Sequence, residues 1–431
     1  MTAFDVEELL KKHLAGHMRL TERARTAQLY YRNKNDILRD RSPENQGVCF
    51  GGVNPLRSAD NRISHNWHNL LVNQKAGYLF TSPPAFDVGD DWRNKAVKKV
   101  LGDGFSGVCK DLCIEASNTG VAYLHIWCDE DGRFCFGVVS GMEVIPVYSG
   151  SIQKELTGVL RLYEGEADGK KATFYEYWDK ECGSFFIKRH KTIEPLNGQA
   201  GRNTFYHNFG MVPFIPFKNN NLGTSDLENV KPLIDVYDKI YSGFVNDIED
   251  IQQVIFILTN YGGQDLETFL SDLKRYKTVD MQHSGDGDKS GISTLTIDIP
   301  VAARNDLLKL TRKQIFISGQ GVDPENEQMA YTSGVALRHA YSLLELKAGL
   351  MESEFRTGFG KLVRAILRFL GIDDREVLLE QSYFRSAVQN DLEKAQMISY
   401  LRDVTSRETI AKESPLVDDW QRELENLTEK G

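Results

Sequence analysis

His207 to Gly243 reads HNFGMVPFIPFKNNNLGTSDLENVKPLIDVYDKIYSG and joins two different sequence patterns. Before it, from about Val121, short apolar runs such as VAYLHIWC, RFCFGVV and ATFYEYWD alternate with turns rich in glycine, aspartate and lysine. That pattern predicts an antiparallel meander. Within it, Ser225-Asp-Leu-Glu228 has the form of a capping box, which opens a helix. The segment therefore predicts an α+β fold in which a β-rich region runs directly into a long helix.

The predicted helix extends from Asp226 to Leu258. Apolar side chains recur along it every three or four residues, which is the period of an amphipathic helix. At 1.5 Å per residue it would be roughly 50 Å long. The helix has a net charge of −5, because it contains two lysines and seven acidic residues and 2 − 7 gives −5. The acids are Asp226, Glu228, Asp235, Asp238, Asp247, Glu249 and Asp250, and the lysines are Lys231 and Lys239.

A small α/β unit is predicted after this helix. Tyr261-Gly-Gly263 interrupts the helical pattern, and a short helix is expected near Asp265–Tyr276. A hairpin follows, with strands near Lys277–Gln282 and Ile292–Ile297.

Helices dominate the rest of the chain. One begins at Pro300 and ends near Ser318, and a longer one is expected from about Val335 to Leu370. Glycines inside the longer helix predict a bend; they are Gly349, Gly358 and Gly360. The tail from Asp373 predicts two or three further helices. Three more are predicted in the first hundred residues, at Val6–Leu14, Ile63–Tyr78 and Trp92–Leu101.

Composition narrows the class of protein. The 431 residues carry 52 basic and 61 acidic side chains, so the net charge is −9, which disfavours a protein that grips nucleic acid by neutralising phosphates. No run approaches 18 consecutive apolar residues, and Met1 to Leu20 lacks the pattern of a signal peptide. The six cysteines have irregular spacings, which suits free thiols in a reducing compartment. We therefore expect neither secretion nor a membrane span.

Motifs for catalysis or cofactor binding are weak. Gly102-Asp-Gly-Phe-Ser-Gly107 matches a dinucleotide fingerprint but follows a helical pattern, so we interpret it as a turn between elements. Asp286 to Gly291 begins like a calcium loop, yet Ile297 occupies the position where a bidentate glutamate is needed. His13/His17 and His65/His68 have the spacing of metal pairs without the surrounding motif. We expect no catalytic residues, cofactor or metal.

The loop Gly319 to Gly334 stands out because it contains three acids, no base and several glycines. Its glycines predict freedom of the backbone. A surface loop beside a solvated helix face is the simple interpretation of this loop and of the acidic helix. Their order along the chain favours a more specific one.

Four separated stretches resemble the portal proteins of tailed bacteriophages of the siphophage type. His207 to Gly243 is similar to the start of that family's first stem helix, and Gly319 to Ala348 to its tunnel loop and the helix that follows. Near the N-terminus, Tyr30–Leu38 and Asn61–Phe80 resemble the family's wing. Val404 to Leu427 is similar to its crown. The likeness covers nearly the whole chain.

This resemblance implies a dodecameric ring at one capsid vertex, through which double-stranded DNA is packaged and ejected without sequence specificity. It divides the chain into a wing with a helical N-terminus and antiparallel β-structure (1–225), stem helix 1 (226–261), a clip (262–299), stem helix 2 (300–318), the tunnel loop (319–334), a long bent wing helix (335–372) and a crown (373–431). The implied partners are the terminase large subunit, major capsid and scaffolding proteins, and head-completion or adaptor proteins. The implied location is the virion, after assembly in the host cytoplasm.

Two sets of residues are expected to carry this function. The DNA-facing tunnel loop contains Asp323, Glu325, Asn326, Glu327, Gln328, Tyr331 and Thr332. The assembly face of the stem contains Tyr237, Phe244, Ile248, Ile251 and Ile255. A conduit should repel phosphates more than it holds them, which fits the acidic helix and loop. Two alternatives stay open: an enzyme with a composite site assembled from distant residues, and an adaptor protein without a DNA channel.

Overall fold

A computed structural model describes most of the chain. The described residues are 1–39, 48–49, 52–53, 59–167, 169–190, 192–197, 201–251, 255–259, 291–295, 300–325, 334–385, 396, 398–401, 404–414, 417, 420 and 423–424. They divide into two compact units. Unit 1 contains Met1–Lys34, Asn66–Pro232 and Lys313–Gly431, and unit 2 contains Asn35–His65 and Leu233–Arg312.

The fold is a mixture of helices and antiparallel sheets, as the sequence predicts. The described helices are α1 (Ala3–Tyr31), α2 (Trp67–Leu79), α3 (Asp91–Leu101), α4 (Phe105–Thr119), α5 (Lys231–Ile251), α6 (Val301–Ser318), α7 (Gly334–Phe369) and α8 (Arg407–Glu413). Short 3₁₀ turns occur at Asp36–Leu38, Gly141–Glu143 and Asp226–Asn229. In the ranges given above, no helix is long and apolar enough to cross a membrane.

The described strands have two to twelve residues, and all their pairings are antiparallel. They are β1 (Val48–Cys49), β2 (Gly52–Val53), β3 (Ala85–Asp87), β4 (Val121–Cys128), β5 (Phe134–Ser140), β6 (Val144–Tyr148), β7 (Leu156–Ala167), β8 (Lys170–Trp178), β9 (Cys182–Arg189), β10 (Thr192–Pro195), β11 (Thr204–Tyr206), β12 (Phe214–Lys218), β13 (Ile255–Thr259), β14 (Gly291–Leu295) and β15 (Glu380–Ser382).

The predicted meander is present but is divided between two sheets of unit 1. One sheet has the order β10-β9-β8-β7-β6, with β11 also paired to β9. The other has the order β12-β4-β5, so that the last strand before the stem lies beside β4, with Ile215 opposite Leu124. The sheet containing β12 therefore fixes the position from which the chain continues toward α5.

The helix α4 is not predicted by the sequence, although it lies at the centre of unit 1. Its Cys109, Leu112, Cys113 and Ala116 side chains are completely buried. Thiol and small side chains fill most of these positions, so the apolar period lacks the large residues that identify a core helix. Gly102 caps the end of α3 and Gly104 the start of α4, so the interpretation as a helix end and turn is confirmed for Gly102–Gly104, whereas Phe105–Gly107 form the first turn of α4.

The long helix α7 confirms the predicted Val335–Leu370 element almost to the residue. Its buried ladder contains Met351, Phe355, Phe359 and Leu362, each fully buried. Gly358 has a packing role in this helix, because a Cβ atom there would lie 2.5 Å from the ring of Phe217. The phenylalanine can approach the helix backbone only because glycine has no side chain. Whether α7 bends stays a prediction.

The predicted first stem helix is wrong at both ends. Ser225 accepts a hydrogen bond from the Leu227 amide and opens a 3₁₀ turn, and α5 begins only at Lys231. The helix then ends at Ile251, and residues 255–259 form β13. IFILT is a short continuous apolar run, which does not distinguish helix from strand by periodicity, and its β-branched and aromatic side chains favour a strand. Ile255 therefore lies on a strand instead of the stem helix.

The clip hairpin is also corrected in part. A strand is present at Gly291–Leu295, close to the predicted Ile292–Ile297. Its antiparallel partner is β13, with Ile255 opposite Leu295 and Thr259 opposite Gly291. The predicted partner Lys277–Gln282 and the predicted short helix near Asp265–Tyr276 lie outside the described residues. The pairing places the residues that follow α5 in the same small sheet as the end of the predicted clip.

Candidate functional site

A buried ionic cluster lies in unit 1 beside the start of the predicted stem and the start of the predicted tunnel loop. Lys75 on α2 donates from Nζ to Oδ2 of Asp226 over 2.7 Å, and Lys347 on α7 lies 3.0 Å from the same oxygen. All three side chains are at least nine-tenths buried. Two ammonium groups thus share one carboxylate away from water.

The charges of this cluster set the ionisation of its members. Burial alone would raise the pKa of Asp226, but Lys347 and Lys75 outweigh it and hold this pKa well below its usual range. Burial lowers the pKa of Lys347, while the Asp226 carboxylate opposes that shift. The aspartate is therefore ionised at neutral pH and lies within reach of both lysines.

Asparagines shape the connection that carries Asp226. Asn219 accepts a bond from Lys75 at Oδ1 over 2.6 Å and donates from Nδ2 to Asp226 Oδ1 over 2.8 Å. The Asn220 side chain accepts bonds from the amides of Leu222 and Thr224. These contacts close the turn between β12 and the 3₁₀ segment. They explain why this turn, Lys218–Asp226, has the sequence KNNNLGTSD.

The same turn lies close to the end of α4. A Cβ atom on Gly120 would be 2.1 Å from the carbonyl oxygen of Gly223, and both glycines have positive φ. No other residue type fits this approach without a backbone shift.

The predicted tunnel loop begins at an anchored segment. At the end of α6, the Gly321 N–H donates to the Phe316 carbonyl over 2.9 Å. The preceding residue, Gln320, is in the left-handed region at φ +52°, as is common where a helix ends. Lys347 Nζ donates to Gly319 O over 2.9 Å. The Gln74 side chain makes two bonds with the backbone of Val322, one to its carbonyl and one from its amide.

The glycines at the start of the loop serve close packing, which corrects their interpretation as flexible positions. A Cβ atom on Gly319 would lie 2.5 Å from Leu71 Cδ1, and one on Gly321 would lie 2.3 Å from Leu71 Cδ2. Neither glycine has a positive φ. Gly319–Val322 is thus held against α2 by packing and hydrogen bonds.

The acids of the loop are described only in part. Asp323 is half-buried, and its side chain accepts a bond from the Glu325 amide over 3.0 Å, while Glu325 itself is exposed. The remaining predicted DNA-facing residues lie outside the described residues; they are Asn326, Glu327, Gln328, Tyr331 and Thr332.

The acidic face predicted for the stem is smaller than the sequence indicates. Asp226 belongs to the buried cluster, and Asp238 in unit 2 is completely buried. Asp238 accepts bonds from Asn35 Nδ2 over 2.6 Å and from the amide of His65 over 3.0 Å. Asp247 pairs with Arg304 in the same unit. These carboxylates serve internal contacts, so they contribute little to a surface that repels phosphates.

The predicted assembly face of α5 is partly covered within unit 2. The Tyr237 and Tyr241 rings lie edge-on to His65 at centroid distances of 4.8 and 4.7 Å. The Arg304 guanidinium lies 5.5 Å from the Phe244 ring centroid. Ile248 on the same face is 45% exposed, and Ile251 is the last residue of the helix. Of the residues predicted for this face, Ile248 is the one with an open apolar surface among the described side chains.

Metal binding finds no support in the described residues. They contain no group of three or more histidine, cysteine, aspartate or glutamate side chains that could hold an ion. The His68 ring bonds to Asn118 Oδ1 through Nε2 over 2.9 Å, and burial lowers its pKa to about 4. His17 contacts Thr21 through its ring and its carbonyl. Both histidines are thus engaged in hydrogen bonds within the fold.

A cleft of about 370 Å³ between the two large sheets is lined by polar and aromatic side chains. His125 donates from Nδ1 to the Pro213 carbonyl over 2.8 Å, and burial lowers the pKa of His125 to about 4. Arg161 in the same cleft is paired with Glu143 and Glu176. The cleft contains no serine or cysteine nucleophile among its lining residues, so it does not favour the enzyme alternative.

Lys75, Lys347, Gln74 and Asn219 are missed by the sequence interpretation. A signal exists for Lys347, which occupies a position in the α7 ladder between Leu344 and Met351 where an apolar residue is expected. A basic residue at a buried helical position requires a charged or polar partner. The sequence does not identify Asp226 as that partner.

Comparison with known proteins relates the chain to one family. Residues 10–431 match the family model described as "Phage portal protein, SPP1 Gp6-like". The portal protein of Clostridium phage phiCD119 is 42% identical over 412 residues, covering 91% of this chain and 89% of that protein. The portal protein of Bacillus phage SPP1 is 31% identical over 424 residues, covering 93% of this chain and 82% of that protein.

Among solved structures, a chain described as "Neck of native GTA particle computed with C12 symmetry" has a TM-score of 0.46 and 12% identity. The match covers 81% of this chain and 89% of that chain.

Proposed function

This chain belongs to the SPP1 Gp6-like family of phage portal proteins, and on that premise we propose that twelve copies form a closed ring through which double-stranded DNA passes. A portal protein forms the head–tail connector at a capsid vertex of the virion and is a structural component, not an enzyme. The ring is the feature that turns such a subunit into a conduit.

An exposed leucine stripe on α7 carries the proposal of ring assembly. Leu343, Leu346 and Leu350 are 36%, 57% and 52% exposed, and their spacing of three and four residues places them on one side of the helix. Contiguous exposed apolar side chains favour a protein interface. A closed ring with one kind of subunit uses two different surfaces on each copy, so this stripe would meet another surface of the neighbouring copy.

The face of α5 is the second surface in this proposal. Tyr237, Phe244, Ile248 and Ile251 retain the role that the sequence suggests for them, and Ile248 supplies the exposed apolar contact. Ile255 on β13 no longer belongs to the helical face and is assigned instead to the small sheet with β14.

The loop 319–334 would touch DNA weakly as it passes through the ring. Asp323 and Glu325 bring negative charge to the described part of the loop, and the loop contains no lysine or arginine. Contacts without fixed positive charge release few counterions, so DNA can slide past them. Asn326, Glu327, Gln328, Tyr331 and Thr332 would complete this surface.

The clip would contact the terminase large subunit during packaging and head-completion or adaptor proteins afterwards. The wing and crown would meet major capsid and scaffolding proteins as the procapsid assembles in the host cytoplasm. Membership of the family supports these partners.

Negative-stain electron microscopy of the purified protein tests the ring directly. We expect particles with a central hole and class averages with twelvefold symmetry. Particles without a hole would favour the adaptor alternative, because a conduit needs a channel. A different rotational symmetry would correct the copy number and leave the conduit in place.

A further inference from the structure

Lys347 makes two contacts that a simple ion pair does not need. Its Nζ atom lies 3.0 Å from Asp226 Oδ2 and 2.9 Å from the Gly319 carbonyl oxygen. Asp226 begins the 3₁₀ turn that precedes α5, and Gly319 follows the last residue of α6. One buried ammonium group therefore joins residue 226 to the base of the loop 319–334.

Lys347 is the second lysine at a carboxylate that already has a charged partner. Lys75 already pairs with Asp226 at 2.7 Å, so a second buried lysine is not needed to neutralise this carboxylate. A buried charge beyond the paired set costs free energy, because it loses its hydration. Burial lowers the pKa of Lys347, which is the mark of that cost. The bond from Lys347 to the Gly319 carbonyl is the contact that distinguishes it from Lys75.

A second set of contacts holds the loop base without involving Asp226. Gln74 bonds to the amide and carbonyl of Val322, and Leu71 packs against Gly319 and Gly321. Leu71, Gln74 and Lys75 lie on one side of α2, at positions three and four residues apart. The loop base thus has two anchors, α2 through Gln74 and α7 through Lys347.

We propose that Lys347 is a positioning residue that couples the base of the loop, Gly319–Val322, to the segment that precedes α5, Asp226–Val230. A displacement of the loop base is transmitted through the Gly319 carbonyl and the Lys347 ammonium to the Asp226 carboxylate. The inference rests on the proposed function for one part, the role of this coupling while DNA passes through the ring. The coupling itself is a property of one subunit.

Hydrogen exchange measured by mass spectrometry on the full chain tests the coupling without DNA. In the Gln74→Leu variant, which loses both bonds to Val322, we expect at least tenfold faster exchange of the amides at 321–322. If Lys347 couples the two segments, exchange at 227–230 should also become several-fold faster. In the Lys347→Met background, Gln74→Leu should still affect 321–322 but no longer change exchange at 227–230.

Lys347→Met leaves Asp226 paired with Lys75, so this variant is expected to fold. Lys361→Met is the matched control, because Lys361 is an exposed lysine on the same helix. The proposal is overturned if Gln74→Leu changes exchange at 227–230 equally in the wild-type and Lys347→Met backgrounds, since the coupling would then run through α2 alone. The proposal is also overturned if Gln74→Leu alone changes exchange at 321–322 but not at 227–230.

If Lys347→Met does not fold, Lys347→Gln serves as the second background, and the same comparison decides. A wild-type protein that forms no ring would contradict the proposed function but leave these exchange results unaffected. The two proposals therefore fail separately.

Discussion

The Nζ atom of Lys75 lies 2.7 Å from Oδ2 of Asp226, although the two residues are separated by 151 positions in the chain. The pair joins α2 to the turn that precedes α5. Lys347 shares the same carboxylate, so one aspartate holds two buried ammonium groups. Removing that aspartate should be far more harmful than removing either lysine.

Asp226→Asn should lower the free energy of unfolding by about 3 to 5 kcal/mol, because it leaves two buried ammonium groups without a counterion. Urea denaturation monitored by circular dichroism measures the change. Glu228→Gln is the control, since Glu228 is exposed and its nearest ion-pair contact with Arg23 is 3.8 Å long. An equal effect of the two substitutions would contradict the role of the cluster.

The depressed pKa of Asp226 also predicts an acid response. The folded-state pKa lies below the ordinary value of 3.8, so this group stabilises the fold above that value and the contribution is lost as pH falls below it. Between about pH 4 and pH 2 the wild type should lose more stability than Asp226→Asn does. Parallel curves for the two proteins would contradict this prediction.

His68 predicts a separate loss of stability as pH falls, in an interval above the one in which Asp226 acts. Burial lowers its pKa from 6.5 to about 4, so the unfolded chain binds a proton before the folded protein does. Stability should therefore fall as pH decreases from 6.5 toward 4, with a contribution of about 3 kcal/mol from this residue. His68→Gln keeps a donor for Asn118 without a titrating ring. Its unfolding free energy should vary less over this interval, and an unchanged slope would contradict the assignment.

Two glycines on α7 predict opposite effects of the same substitution. A Cβ atom on Gly358 would lie 2.5 Å from the Phe217 ring, whereas one on Gly349 would meet no atom within 4 Å. Gly358→Ala should destabilise the protein by about 1 to 3 kcal/mol through overpacking. Gly349→Ala should stabilise it by about 0.5 to 1 kcal/mol, because alanine is the better helix former. Thermal unfolding of both variants measures the sign of each change in stability. Changes of the same sign in the two variants would contradict the packing role of Gly358.

Strong periodicity explains which parts of the fold are predictable from the sequence. The apolar ladder of α7 predicts a helix from Val335 to Leu370, and the observed helix extends from Gly334 to Phe369. The α4 helix is missed because cysteine, alanine and small polar side chains occupy much of its buried side. The end of α5 is missed because IFILT satisfies both helical and strand patterns, and its pairing with β14 decides between them.

The candidate site is less predictable because it depends on long-range partners. Its lysines and Asp226 come from α2, α7 and the turn after β12, and no local pattern relates them. The acidic count of the stem region also misleads, because Asp226 and Asp238 are buried in separate polar networks. Charge counted along a helix does not show which face each carboxylate occupies.

Ring assembly predicts sensitivity to charge on the exposed apolar surfaces. Burial of one leucine or isoleucine side chain contributes about 1.5 to 3 kcal/mol at an interface. Leu346→Asp and Ile248→Asp should each shift particles toward monomers in light scattering. Leu378→Asp is the control, because Leu378 is 77% exposed and lies outside α5 and α7. Unchanged rings in both test variants would show that neither surface carries the assembly.

Charge reversal in the loop tests its contact with DNA. Glu325→Lys combined with Glu327→Lys converts an acidic segment into a basic one, so phosphates should be held where they previously passed. We expect rings to form normally while packaging slows or stalls at low salt and recovers as salt screens the added charge. The matched control is Glu376→Lys with Glu380→Lys, which makes the same change in net charge at exposed positions outside the loop. Normal packaging by the loop variant at every salt concentration would mean that this segment does not meet DNA. Equal slowing by both double variants would assign the effect to total charge rather than to the loop.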